Sequence, residues 1–192
     1  MLLYTPDTER ALRVAFEAHA GQTRKGTQLP YVTHCVHVAM LAARAGADSI
    51  TIQGALLHDV VEDCEGWTIE RLAHEFGAEV AAVVEPLTEI KGPSWEERKL
   101  AALARVPTMD ARAAAVKACD KTHNMRSLVQ QLAEASSPEE AWRPFSRGPE
   151  QTIDMAERLV EAVDARLMQL DAFPSLRAEL RLAFEALAVH RP

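Results

Sequence analysis

The sequence predicts an all-α fold, a compact helical bundle of about eight to ten helices. Three observations carry that expectation. Runs of alternating β-branched and polar residues are missing, and so are the Asn-Gly and Asp-Gly pairs that close hairpins. Alanine, leucine, glutamate and arginine dominate, and all four favour helix. Glycines and prolines punctuate the chain at helix-length intervals.

The elements follow in order. Pro6 precedes a first helix over residues 7–20. Residues 21–32, GQTRKGTQLPYV, hold two glycines and a proline and read as a loop. A second helix covers 33–45 and stops at Gly46; a third covers 49–63 and stops near Gly66. Residues 68–76 form a short helix closed by Gly77, and 78–85 form another that ends at Pro86. EIKGPSW, 89–95, is a loop, followed by helix over 96–105 up to Pro107. Residues 109–134 are the longest periodic segment. Residues 136–149 carry three prolines and a glycine and read as looser chain. A long helix covers 150–170, and Pro174 introduces a last one over 175–189. No repeat or linker divides the chain, so 1–192 is read as one domain, with 170–192 as a helical extension.

Composition narrows the function. A formal net charge of -7 argues against general nucleic-acid binding, which needs a broad basic surface. An anionic substrate would then need a local basic patch or a bound cation. The cysteines, Cys35, Cys64 and Cys119, are widely spaced and odd in number, so they read as reduced thiols rather than disulfides or a structural zinc site. The N-terminus lacks a signal-peptide pattern, and no run of about 18 apolar residues suits a membrane span. A cytoplasmic protein without membrane or nucleic-acid partners is expected. A homo-oligomer is compatible with the sequence.

The stretch LLHDVVED, residues 56–63, crowds an imidazole and three carboxylates directly after an apolar run. His34 lies in another apolar helix, YVTHCVHVAM, and Asp120 follows an apolar run in AAAVKACDKTHNM. A carboxylate there is costly to bury unless it is paired or metal-bound. His34, His58, Asp59 and Asp120 make a mixed nitrogen and oxygen set. It suits a divalent ion such as Mn²⁺, Fe²⁺, Co²⁺ or Zn²⁺, and the absence of thiolates argues against structural zinc. Such a site activates water near neutral pH. Glu62 and Asp63, one helical turn beyond His58 and Asp59, are placed to orient or deprotonate that water. His37 and His123 are read as packing, capping or supporting groups, and His74 as solvated. His19 is balanced between a surface and a pocket role. The last helix, with Leu176, Leu180, Phe184 and Leu187, suits packing on the domain or on a partner.

These residues, His then His-Asp then Asp, resemble the HD superfamily of metal-dependent phosphohydrolases. GQTRKGTQLPYVTHCVHVA, ALLHDVVED, FGAEVAAVVEPLTEIKG, SWEERK and VKACDKTHNM stand in the order seen in the hydrolase domain of the Rel/SpoT-type alarmone enzymes. They are most similar to the stand-alone small alarmone hydrolases, over residues 7–165. The resemblance implies one metal, usually Mn²⁺, on His34, His58, Asp59 and Asp120. It implies that Glu62 and Asp63 act on the nucleophilic water and that Arg24, Lys25 and Asn124 contact the nucleotide. The implied reaction removes the 3′-pyrophosphate from guanosine tetra- or pentaphosphate. No synthetase domain is expected in a chain of this length.

The basic residues Arg24, Lys25, Lys91, Arg98, Lys99 and Lys121 are available as local positive charge; Arg24 and Lys25, in a glycine-flanked loop, are the favoured pair. The resemblance breaks at 154–156. Asp154, Met155 and Ala156 stand where aromatic residues are expected, and Trp142 and Phe145 are the nearby candidates to compensate. Base specificity stays open as a result: an adenosine alarmone, the 2′-phosphate of NADPH or a nucleoside monophosphate are alternative substrates. A non-catalytic nucleotide sensor is a further alternative, opposed by the presence of all four ligands and both acids.

Overall fold

The computed structural model describes residues 4–89 and 94–192. Among them lie eleven α-helical segments: α1 (Pro6–Ala18), α2 (Val32–Arg44), α3 (Ser49–Leu57), α4 (Val60–Asp63), α5 (Ile69–Phe76), α6 (Ala78–Val84), α7 (Trp95–Arg105), α8 (Ala111–Glu134), α9 (Pro138–Trp142), α10 (Pro149–Gln169) and α11 (Pro174–Ala188). A 3-10 turn, Val106–Thr108, joins α7 to α8. No strand occurs among the described residues, apart from an isolated bridge between Thr23 and Pro30. The all-α expectation holds, and the one-turn α4 and five-residue α9 take the segment count past ten.

Side-chain caps start most of these helices. Thr5 and Thr8 form a reciprocal capping box on α1. Asp48, Thr68, Ser94, Asp110 and Ser137 accept first-turn N–H bonds on α3, α5, α7, α8 and α9. Proline does double duty. Pro6, Pro138, Pro149 and Pro174 stand at the first turns of α1, α9, α10 and α11, where the missing N–H costs nothing. That is why residues 138–142, expected to be loose, are helical: Ser137 caps the turn and Pro138 starts it.

Helix α8 is the axis of the bundle. It packs against α2, α3, α10 and α11. Ala113, Ala114, Ala115, Val116 and Ala118 are fully buried on it, so small side chains let neighbours approach from several sides. Helix α3 is buried from Thr51 through Leu57, which explains its lack of a polar face. Gly54 is required there: a Cβ would sit 2.5 Å from Val83 Cγ1 of α6.

The expected third helix, 49–63, is in fact two. It breaks at His58 and Asp59 between α3 and α4. His58 Nδ1 hydrogen-bonds the Ala55 carbonyl at 2.8 Å, the acceptor that a continuing helix would offer to Asp59 N–H. Asp59 then takes φ -98° and ψ -7°, and α4 starts afresh on Asp63 N–H to Asp59 carbonyl, 2.9 Å.

Candidate metal centre and adjoining cavities

Three helices bring the four expected donors together. His34 comes from the first turn of α2, His58 and Asp59 from the α3–α4 break, and Asp120 from mid-α8. His34 Nε2 lies 3.4 Å from both Asp59 Oδ2 and Asp120 Oδ1, and His58 Nε2 lies 3.0 Å from Asp59 Oδ2. Donor atoms of His34, His58 and Asp120 all fall within 4.8 Å of one another.

The tautomers suit a cation. His58 Nδ1 donates to Ala55, so in the neutral ring that a metal requires the lone pair sits on Nε2. That nitrogen is buried and, despite the nearby carboxylate, has no directed hydrogen bond. His34 Nδ1 meets His123 Nδ1 at 2.8 Å; with His34 as the donor in that contact, its lone pair lies inward at Nε2. His123 Nε2 continues to His37 Nδ1 at 3.1 Å, so His123 contacts the candidate donor His34 and His37 backs His123. The carboxylates are braced too: Tyr31 O–H donates to Asp59 Oδ2 at 2.8 Å, Lys121 pairs with Asp120 at 3.0 Å, and Asn124 donates to Asp120. Two inward imidazole lone pairs and two ionised carboxylates fit a divalent metal. A second geometric grouping replaces the others with Cys35 beside His58 and Asp59. Burial pushes the Cys35 thiol up, and Asp59 adds to that, so it stays protonated and is a poor ligand.

Charge is distributed accordingly. Burial disfavours ionised Asp59, but His58 and His34 hold its carboxyl well below the usual range. Burial works against Asp120 in the same way and is outweighed by Lys121 and His34. Glu62 and Asp63 move the other way. Burial raises both, and the Asp59 charge adds to each.

Both acids line an inner cavity of about 120 Å³ together with His34, His58, Asp59 and Asp120. Glu62 Oε2 accepts the Glu89 N–H at 2.8 Å. An outer cavity of about 460 Å³ adjoins it; Tyr31, Lys99, Lys121 and Asn124 line both. Arg24 and Lys25 line the outer one. Their loop is folded tightly by Arg24 N–H to Leu29 carbonyl, 2.8 Å, and Tyr31 N–H to Gln22 carbonyl, 2.9 Å. Arg24 donates to Asn124, which donates to Asp120, so one chain of hydrogen bonds links loop to metal donor.

Of the other basic candidates, Arg98 lines neither cavity and Lys91 lies outside the described residues. Met155 and Ala156 line the outer wall, while Asp154 points away to Arg191 at 3.2 Å. Phe145 lines that wall, and Trp142 is buried behind it with rings 5.6 Å apart. Sequence reasoning missed Tyr31, Trp95, Lys117, Glu89 and Arg147 as cavity residues. Tyr31 had a signal, standing three residues before His34. His19 proves buried, stacked on Tyr31 at 4.7 Å and bonded to Gln22 at 2.8 Å.

The family model described as HD domain matches residues 11–145. The chain belongs to the HD domain family. The probable GTP pyrophosphokinase of Mycobacterium leprae is 38% identical over 124 residues, covering 62% of this chain and 16% of that protein. The guanosine-3′,5′-bis(diphosphate) 3′-pyrophosphohydrolase of Vibrio cholerae is 40% identical over 121 residues, 60% of this chain and 17% of its own length. This HD domain thus spans under a fifth of those relatives. Solved structures match more evenly. A metazoan ortholog of SpoT, described as hydrolysing ppGpp and acting in starvation responses, superposes with TM-score 0.76 at 25% identity, over 95% of this chain and 96% of that one. Protein lmo0812 of Listeria monocytogenes gives TM-score 0.70 at 31% identity, over 84% and 99%. The HD-domain match ends at residue 145, whereas the metazoan match takes in nearly the whole chain. No helix among the described residues is long and apolar enough to cross a membrane.

Proposed function

We propose that this HD domain is a Mn²⁺-dependent guanosine-3′,5′-bis(diphosphate) 3′-pyrophosphohydrolase. One observation carries the reading: a two-histidine, two-carboxylate donor set opens through shared lining residues into a larger cavity bearing Arg24 and Lys25. The names of the Vibrio cholerae and metazoan relatives supply the substrate.

His34, His58, Asp59 and Asp120 would hold the ion. When bound, it would polarise a phosphoryl oxygen and make water acidic enough to attack. Glu62 and Asp63 take the proton from that water; their raised pKa values bring them nearer the working pH, where general bases are most effective. The water oxygen bonds to the phosphorus carried on the ribose 3′-oxygen, and the bond from that phosphorus to the 3′-oxygen breaks. The 3′-oxygen takes up a proton from the protonated acid or solvent, leaving pyrophosphate and GDP. Arg24 and Lys25 hold the nucleotide, and Arg24 also offers a planar face for stacking. Asn124 orients Asp120 while facing the outer cavity.

A second reading keeps the metal and changes the nucleotide. Met155 and Ala156 favour it, since this stretch of wall offers a flexible and a small side chain rather than an aromatic ring for the base. The test is a panel of ppGpp, an adenosine alarmone, NADPH and nucleoside monophosphates, with Mn²⁺ and product identification. Pyrophosphate release from ppGpp far above all others is expected, and its loss in His58→Ala, Asp59→Ala or after chelation. Faster turnover of another nucleotide selects the second reading. Tight nucleotide binding without product selects a sensor.

A further inference from the structure

Lys117 stands on α8, three residues before Asp120. It is only 5% exposed, between Val116 and Ala118, which are fully buried. Its side chain nevertheless lines the inner cavity. The neighbouring cations there are already matched: Lys99 pairs with Glu89, and Lys121 with Asp120. Lys117 has no hydrogen bond or ion pair among the described residues. Asp120 and Glu89 act on it only at longer range. A buried ammonium without a direct partner is costly, a cost met when an anion arrives beside it.

The cavity sets the size of that anion. About 120 Å³ is well below the roughly 300 Å³ at which small-molecule pockets begin. It suits a phosphoryl group and excludes a nucleoside, for which the adjoining 460 Å³ is available. Three ammonium groups, from Lys99, Lys117 and Lys121, share this inner wall with the acids and metal donors. Burial, then the Lys121 charge, brings Lys117 down to about 8, so it remains mostly charged at neutral pH.

We infer that Lys117 is a phosphate-binding residue of the inner cavity, its ammonium serving as counter-ion to the pyrophosphoryl group that is removed. The inference rests on the phosphohydrolase reading for its substrate, and on the unpaired lysine for its site. Lys99 and Lys121 complete the cationic wall, while Arg24 and Lys25 serve the nucleotide on the outer side.

The test uses inorganic pyrophosphate as probe on the full chain, with and without Mn²⁺. Lys117→Met keeps length and packing and removes the charge; Lys117→Gln is a polar second variant. Expected results are pyrophosphate binding weakened at least tenfold by calorimetry, Mn²⁺ affinity within twofold of the parent, and a melting temperature without anion at or above the parent's. The stabilisation given by pyrophosphate should shrink with the affinity. In the parent, pyrophosphate should also raise the Lys117 titration midpoint followed by NMR. Pyrophosphate affinity within twofold of the parent in either variant, or an unmoved midpoint, overturns the inference. A parent that binds pyrophosphate through Lys117 yet leaves ppGpp intact sinks the substrate reading alone.

Discussion

His58 ties backbone geometry to protonation. Its Nδ1 holds the Ala55 carbonyl, which breaks the helix and aims Nε2 at the carboxylates. In metal-free protein, burial opposes its charge, but Asp59 and Asp120 outweigh this and lift it from 6.5 to about 9. The folded state then binds the proton more tightly than the unfolded chain. That stabilisation is full below pH 6.5 and is lost as pH rises towards 9. Lys117, lowered to about 8, acts oppositely from about pH 7 upward; His123, lowered to about 3, acts oppositely below pH 7. Between pH 7 and 8 His58 outweighs Lys117, so metal-free protein should lose stability there, by roughly 0.5–1 kcal/mol. Denaturant melts at both pH values measure it, and saturating Mn²⁺ should remove the slope by occupying Nε2. On the proposed mechanism, Glu62 and Asp63 trade stability for chemistry. Glu62→Gln or Asp63→Asn should lower kcat by roughly 10²–10⁴ with Mn²⁺ binding retained. The same variants should raise the melting temperature of metal-free protein at pH 7, because a buried, disfavoured charge is gone. Residue identities at this centre were legible in LLHDVVED, since acids beside an apolar run demand a partner. Lys117 was not, because nothing in AVKACD says whether a lysine meets solvent or a cavity.

At the scale of elements, the loop at residues 21–32 is a positioning device rather than slack chain. Gly26 adopts φ +78°, and a Cβ there would lie 2.8 Å from Gln131 Oε1 and 3.2 Å from Pro144 Cγ. Gly26→Ala should therefore displace Arg24 and Lys25, raising KM for the nucleotide several-fold with metal affinity unchanged. Steady-state kinetics and a Mn²⁺ titration separate the two effects. Helix existence and order were legible from period and breakers. The α3–α4 break was not, since it depends on one side chain competing for one carbonyl. Prolines misled at 136–149, where the same residue that stops a helix also starts the next.

Across the whole molecule, α11 settles onto α8 and α10, with Leu176, Leu180 and Leu187 buried. Leu187 also lines the outer cavity, so the last helix helps to shape it. Leu180→Ala should cost about 2–5 kcal/mol in urea unfolding, with metal affinity preserved because Leu180 lines neither cavity. The packing role of this helix, left open by its amphipathic pattern, follows from the small residues of α8 that admit it.

Local chemistry was therefore readable along the chain. Helical period, breakers and caps specify an all-α architecture, and acids and imidazoles embedded in apolar helices specify a metal centre. Those signals need only neighbours in sequence. Which lysine lacks a partner, which aromatic rings wall the cavity, and how Arg24 reaches Asp120 through Asn124 depend on residues far apart in sequence meeting in space. Tyr31 and Asp59, or Arg24 and Asn124, become partners only when the helices close around α8, because burial and distance, not composition, set their interactions.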